Sequence, residues 1–183
     1  DWTDVRDAAA NGISTTFGPL GDGGTQWWSA YFLHANPGWI RLDQKLVNMV
    51  DSSQPFPFPA SGAYDVDPES VPDDRFGTDV TSDFLFAGSP SFRADRRTYF
   101  FSYWQFNRYA EYRSDLTILM PTFTKSENDL YLAEAYIRLS ENLGTASELI
   151  NNTRVNDGGL SPAEADDLDL LDKVFYERYL EAY

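Results

Sequence analysis

Residues 124–164 alternate helix starts and helix stops at short range, and that spacing sets what this part of the chain can build. Thr124 with Glu127 has capping-box spacing: a hydroxyl and a carboxylate satisfy backbone N–H groups at a helix start. Ser126 with Asp129 offers the same service. A first helix then carries Leu130, Ala133, Ala135, Ile137 and Leu139. Gly144 is placed to end it, because glycine enters the left-handed conformation cheaply. Thr145 with Glu148 opens a second helix carrying Ala146, Leu149 and Ile150, and Gly158-Gly159 closes it. Ser161, Pro162 and Glu164 have the order cap, first-turn proline, carboxylate, and predict a third start. Helices joined this closely must pack on their neighbours, and Ala133 and Ala135 permit close approach. From spacing alone the segment reads as an αα-hairpin of a tetratricopeptide-like solenoid that binds a partner protein.

The 183 residues suffice for one compact domain. Aromatic residues make up 16 % of the chain, which excludes disorder over most of its length. No run of about 18 apolar residues occurs, so no helix is expected to span a membrane. The opening DWTDVRDAAANG lacks a basic start and an apolar stretch, so no signal peptide is expected there; beginning on Asp, the chain reads as a mature protein or an excised fragment. Cysteine is absent, which removes disulfides and thiolate chemistry. A net charge of -15 repels nucleic acid and anionic membrane surfaces. Asp outnumbers Glu and lysine occurs only at 45, 125 and 173, a surface that suits a salt-rich habitat as well as it suits ordinary solubility.

Upstream, the pattern changes. Gly21-Asp22-Gly23-Gly24 reads as a turn, followed by Trp27, Trp28, Tyr31, Phe32 and Trp39. A short helix is expected near Ala30–His34, and a firmer one over Ile40–Val50, where Ile40, Leu42, Leu46, Val47 and Val50 share a face. Residues 51–98 read as a long loop zone; Pro55-Phe56-Pro57-Phe58-Pro59 is barred from helix because each proline removes a donor and restricts its predecessor. Tyr99–Trp104 and Leu116–Met120 read as extended segments. At the far end, Leu170, Leu171, Val174, Phe175, Tyr179 and Leu180 outline an amphipathic helix that reaches Tyr183 without a stop signal, and reads as truncated.

Most catalytic chemistries find no residues here. His34 is the single histidine, so a multi-histidine metal site is excluded, and no G-x-S-x-G elbow accompanies it. The glycines at 18–24 lack the Lys-Ser/Thr ending of a phosphate loop. Asp65-Val66-Asp67-Pro68-Glu69 has calcium-ligand chemistry but fails as an EF-hand, with Ser70 at the turn glycine and Phe76 at the bidentate glutamate. An irregular oxygen-lined calcium site within 65–83 stays open; no other cofactor is expected. The 29 acidic residues always permit some pair at glycosidase spacing, so their number is no evidence for one.

Leu130, Ala133, Glu134, Ala135 and Arg138, followed by Ala146, Ile150, Asn151 and Arg154, form an L-x-x-A-E-A-x-x-R segment and an A-x-x-x-I-N-x-x-R helix. With Glu177-Arg178 beyond them and Asp74-Arg75-Phe76 upstream, this pattern resembles the SusD/RagB family over roughly residues 115–180. The resemblance implies a mainly α fold with tetratricopeptide-type helical hairpins, long loops and a few short strands. It implies one SusD-like region over 1–183, with an aromatic, loop-rich part at 1–123 and a helical part at 124–183, belonging to a longer protein. It further implies a non-catalytic, outward-facing outer-membrane lipoprotein, anchored through a cysteine upstream of this sequence. Such a protein captures oligosaccharide or another nutrient for a SusC-like TonB-dependent transporter. Glu134, paired with Arg154 or Arg138, is expected to tie helices together. Sugar capture needs flat aromatic faces with polar groups beside them, which selects Trp27, Trp28, Tyr31 and Trp39, with Trp104 second in rank. The alternative is a helical-repeat interaction module without glycan binding.

Overall fold

The computed structural model describes residues 1–25, 35–59, 64–93 and 98–182. They gather into two units, one from residues 1–19 with 121–183, the other from residues 20–120.

The helical unit is built from α1 (Trp2–Ala10), α3 (Lys125–Leu139), α4 (Leu143–Arg154) and α5 (Leu170–Glu181); a further helix, α2 (Gln44–Val50), belongs to the other unit. Asp1 caps α1, accepting from the Asp4 backbone N–H at 3.1 Å. Thr124 caps α3 as its spacing predicts, accepting from Glu127 N–H at 3.0 Å. The stop is different from the expected one. Ser140 takes the left-handed conformation at φ 55°, and Asn142 follows at φ 46°. Gly144 lies inside the first turn of α4, with open space where a Cβ would stand. After α4, Gly159 at φ 62° lets Leu160 N–H return to the Arg154 carbonyl at 3.0 Å. The predicted start at Ser161 does not form a helix. Asn151 holds that segment in an open path, its amide bonding both Ala163 N–H and Ala163 C=O at 2.7 and 3.0 Å. The helix begins instead at Leu170.

Leu130, Ala133, Ala146, Ile150, Ala163, Leu170 and Val174 form the core of this unit. Ala133 and Ala146, both fully buried, let the hairpin helices approach. Helix α1 is tied to α3 across the sequence, with Asn128 donating to the Ala9 carbonyl at 3.1 Å.

The second unit has a three-stranded mixed sheet: β1 (Phe76–Gly77) runs parallel to β2 (Phe84–Phe86), which is antiparallel to β5 (Trp104–Phe106). A separate hairpin pairs β3 (Ser91–Arg93) with β4 (Thr98–Phe101). Strand alternation sends Phe84 and Phe86 to the face shared with Trp104 and Phe106. There the rings interlock: Phe76 lies 4.6 Å from Phe84 and 5.1 Å from Trp104, and Phe84 lies 5.3 Å from Phe106. Behind β1, Asp73 and Arg75 form a fully buried bidentate pair, Nε to Oδ1 at 2.9 Å and Nη2 to Oδ2 at 2.7 Å.

The expectation of a mainly α, tetratricopeptide-type fold is overturned: the architecture is mixed α/β. Helical repeats need each hairpin to cover the last, whereas here one hairpin, α3–α4, is flanked by α5 and the distant α1. The long loop zone expected over 51–98 holds three of the strands. Its apolar residues are mostly aromatic and come in short runs between Pro, Gly and Asp, so they bury by pairing rings across a sheet. Helix α2 is also shorter than the Ile40–Val50 expected, because Asp43 caps it at Lys45 N–H, 2.7 Å. Leu42 instead donates its N–H to the Trp104 carbonyl at 2.9 Å. The Ala30–His34 helix lies outside the described residues. Leu116–Met120 forms no strand, but its backbone lies along the 20–23 segment, with a bridge between Leu20 and Leu119. Gly21 is needed there, since a Cβ would stand 1.8 Å from the Leu116 carbonyl oxygen.

Candidate functional site

The sheet unit carries the aromatic residues selected for sugar contact. Trp27, Trp28 and Tyr31 lie outside the described residues. Trp104 is 0 % exposed, its ring locked between Phe76 and Phe86, so it offers no face to a ligand. Trp39 is half-buried at the end of an Asn36-Pro37-Gly38-Trp39 turn.

That turn is held by a dense set of polar bonds. The Asn36 side chain accepts from Gly38 N–H at 3.1 Å, and its carbonyl accepts from Trp39 N–H at 2.9 Å. Arg41 reaches back, Nε donating to the Pro37 carbonyl at 2.8 Å, while its Nη1 donates to the carbonyls of Ser89 and Ser102 at 3.1 and 3.3 Å. Arg113, at the end of a short 3-10 turn over Ala110–Arg113, donates Nε to the Ala35 carbonyl. Burial lowers the pKa of both guanidiniums, because desolvation disfavours the charged form. A rotamer held by such bonds is pre-organised, so little ordering cost falls on binding.

A polar cluster supports α2. The Tyr64 hydroxyl donates to Gln44 Oε1 at 2.9 Å, and Gln54 Nε2 donates to Asp51 at 3.0 Å. Desolvation pushes the Tyr64 hydroxyl up to about 12, so it stays protonated and donating. The Tyr64 ring meets Tyr103 edge to face at 5.0 Å and Phe58 at 5.4 Å.

Three carboxylates of the calcium-like stretch are engaged locally. Asp67 accepts from Glu69 N–H at 3.1 Å; Asp79 accepts from Thr81 N–H and Oγ1 at 2.8 and 2.7 Å; Asp73 is committed to Arg75. Among the described residues no three potential metal ligands converge.

In the helical unit the signature residues build a cross-helix lattice. Glu134, buried on α3, accepts from Arg138 Nε at 3.0 Å and also from Arg178 of α5. The Arg178 guanidinium lies 4.2 Å over the Tyr131 ring, and Arg138 lies 4.8 Å over Trp2. The expected pairing of Glu134 with Arg138 is present, whereas Arg154 turns to the buried Glu177, at 3.6 Å. Arg75 pairs with Asp73, two residues before it, and not with the adjacent Asp74 of the Asp74-Arg75-Phe76 element. Not selected from the sequence was an open depression of about 410 Å³ on α5, lined by Phe175, Arg178, Tyr179 and Ala182. Tyr179 is 52 % exposed there. No family model, curated protein or solved structure matches the chain.

Proposed function

We propose that this chain captures oligosaccharide, or a nutrient of similar shape, without chemical change, on the aromatic part of its sheet unit. The observation that carries the reading is Trp39, half-buried on a turn held by Asn36, Arg41 and Arg113. Sugars are recognised by their C–H faces on aromatic rings with hydrogen-bonding groups alongside, and a rigid ring loses little entropy in doing so. Trp27, Trp28 and Tyr31 stand close to Trp39 in sequence and extend the proposed platform. The A-E-A and I-N-x-x-R pattern supports a role like that of SusD/RagB proteins. In that role the protein faces outward at the outer membrane and hands its ligand to a TonB-dependent transporter.

Affinity electrophoresis against a panel of polysaccharides tests this. A retarding glycan is expected, with retardation lost on Trp39→Ala and on the Trp27→Ala/Trp28→Ala pair. Unchanged retardation when all three tryptophans are removed refutes the platform. Release of smaller sugars from the same glycans assigns the site to an enzyme instead.

The depression on α5 favours a second reading, a protein-interaction surface without glycan binding. Exposed Tyr179 beside Phe175 and a guanidinium has the composition of an interface anchor. Loss of partner binding on Tyr179→Ala, with no glycan retarded by the wild-type chain, selects that reading.

A further inference from the structure

The chain carries a charge of -15, and most of its described arginines face a carboxylate. Arg6, Arg75, Arg108, Arg138, Arg154 and Arg178 each face a carboxylate. Arg41 and Arg113 break this rule. Arg41 is held by the carbonyls of Pro37, Ser89 and Ser102, and Arg113 by that of Ala35. Among the described residues neither forms an ion pair, and burial lowers the pKa of both. Carbonyl dipoles satisfy donors but do not neutralise a charge. Both guanidiniums grip the seven residues 35–41, the segment that presents Trp39. Arg41 spends Nε and Nη1 on carbonyls, and Nη2 bonds none of the described residues.

Among the described residues, half-buried Arg41 and exposed Arg113 therefore both hold the turn that carries half-buried Trp39, and neither is opposed by a carboxylate. Guanidinium pairs with carboxylate or sulfate through paired, directional N–H bonds, more strongly than with neutral hydroxyls. We propose that the ligand at the Trp39 turn is an anionic saccharide, bearing carboxylate or sulfate groups, whose ring lies on Trp39 and whose charge is met by Arg41 and Arg113. This inference rests on the glycan-capture reading and adds the charge class of the ligand.

The test compares polygalacturonate, dextran sulfate and neutral dextran by affinity electrophoresis and titration calorimetry, at low and at molar salt. An anionic polymer is expected to bind more tightly than the neutral one, with the advantage collapsing in molar salt as the charges are screened. Preference for polygalacturonate identifies carboxylate and preference for dextran sulfate identifies sulfate; either supports the inference. Arg41→Gln and Arg113→Gln are each expected to weaken anionic binding about tenfold more than neutral binding, the difference being the loss of a charge-assisted bond. Arg41→Lys, which keeps the charge but not the fork, is expected to lose less. Should Arg41→Gln fail to fold, Arg113→Gln and the wild-type salt series decide. Neutral dextran bound as tightly as the anionic polymers, or anionic binding indifferent to salt and to Arg113→Gln, overturns the charge assignment while glycan capture stands. Failure of all glycans to bind overturns capture itself.

Discussion

The helical unit and the sheet unit solve the same problem with different materials. In the helical unit aliphatic and alanine side chains fill the core, and its buried carboxylate Glu134 meets partners that water reaches: the guanidiniums on it are 33 % and 26 % exposed. In the sheet unit aromatic rings fill the core, and one ion pair, Asp73–Arg75, is buried outright. Regular helices satisfy their own backbone groups, so the first unit needs side chains mainly for packing and capping. Strands of two to four residues satisfy few, so the second recruits Asn36, Arg41, Asp51, Asp79, Asn107 and Asp115 to bond loop backbone or loop side chains.

The contrast breaks most easily at the cores. Trp104→Ala is expected to cost about 3–5 kcal/mol, because a large ring leaves a cavity among rings that collapse poorly. Ile150→Ala in the helical core is expected to cost about 2–4 kcal/mol. Urea unfolding followed by near- and far-ultraviolet circular dichroism measures both, and a smaller loss at Trp104 would deny the ring face its central role. The ion pairs come next. Asp73→Asn leaves Arg75 charged, buried and poorly matched, for about 3–5 kcal/mol. Glu134→Gln is expected to cost about 1–3 kcal/mol, since water reaches both of its guanidiniums. Equal losses would show that burial does not separate the two pairs.

Capping gives smaller effects confined to the helical unit. Thr124→Ala removes the bond to Glu127 N–H and is expected to cost about 1 kcal/mol. Gly144→Ala should instead add about 0.5–1 kcal/mol, as the position is helical with open space around it. A loss there would restore Gly144 as the stop that its spacing implies.

Acid acts with both signs in this molecule. Asp79 and Asp115 are held below their ordinary value of 3.8 chiefly by the hydroxyls of Thr81 and Thr117, and then by the same residues' N–H groups. For Asp51 burial pushes upward, but bonds from Ser53 and Gln54 outweigh it. A carboxylate with a depressed folded pKa adds stability above its unfolded value, and that share disappears as pH falls through the folded value. Glu127 in the helical unit is raised, first by desolvation, so its charged form opposes folding and protonation relieves it. Acidification below pH 3.8 is therefore expected to speed amide exchange at Ser53, Thr81 and Thr117. Protonation of Glu127 acts in the opposite direction on the start of α3. Asp167, depressed by Glu164 N–H and then by Lys173, is the helical unit's own acid-sensitive turn. Exchange at the three threonine and serine amides that ignores pH would remove the aspartate turns from the account.

Legibility followed the same line. The start at Thr124, the core positions Leu130, Ala133 and Ile150, and the face of α5 were readable because a helix is a local object with a fixed period. The stop was misplaced by four residues, since Ser140 adopts a left-handed conformation that its side chain does not advertise. The start assigned to Ser161 failed because Asn151, ten residues earlier, holds that segment open. In the sheet unit almost nothing local was diagnostic. Trp104 and Trp39 look alike in sequence, yet one closes the ring core and the other stands on a clamped turn. Arg41 and Arg113 were indistinguishable from the arginines that face carboxylates.

The sequence by itself determined the charge, the absence of cysteine, the helix faces and the caps, all properties of residues within a turn or two of one another. Only tertiary structure decided the mixed α/β architecture, which aromatic residues are buried, and which guanidiniums lack a carboxylate. Those outcomes depend on partners tens of residues away: Trp104 on Phe76 and Phe86, Arg113 on Ala35. Pairings across such distances are set by packing and desolvation, which no local spacing encodes.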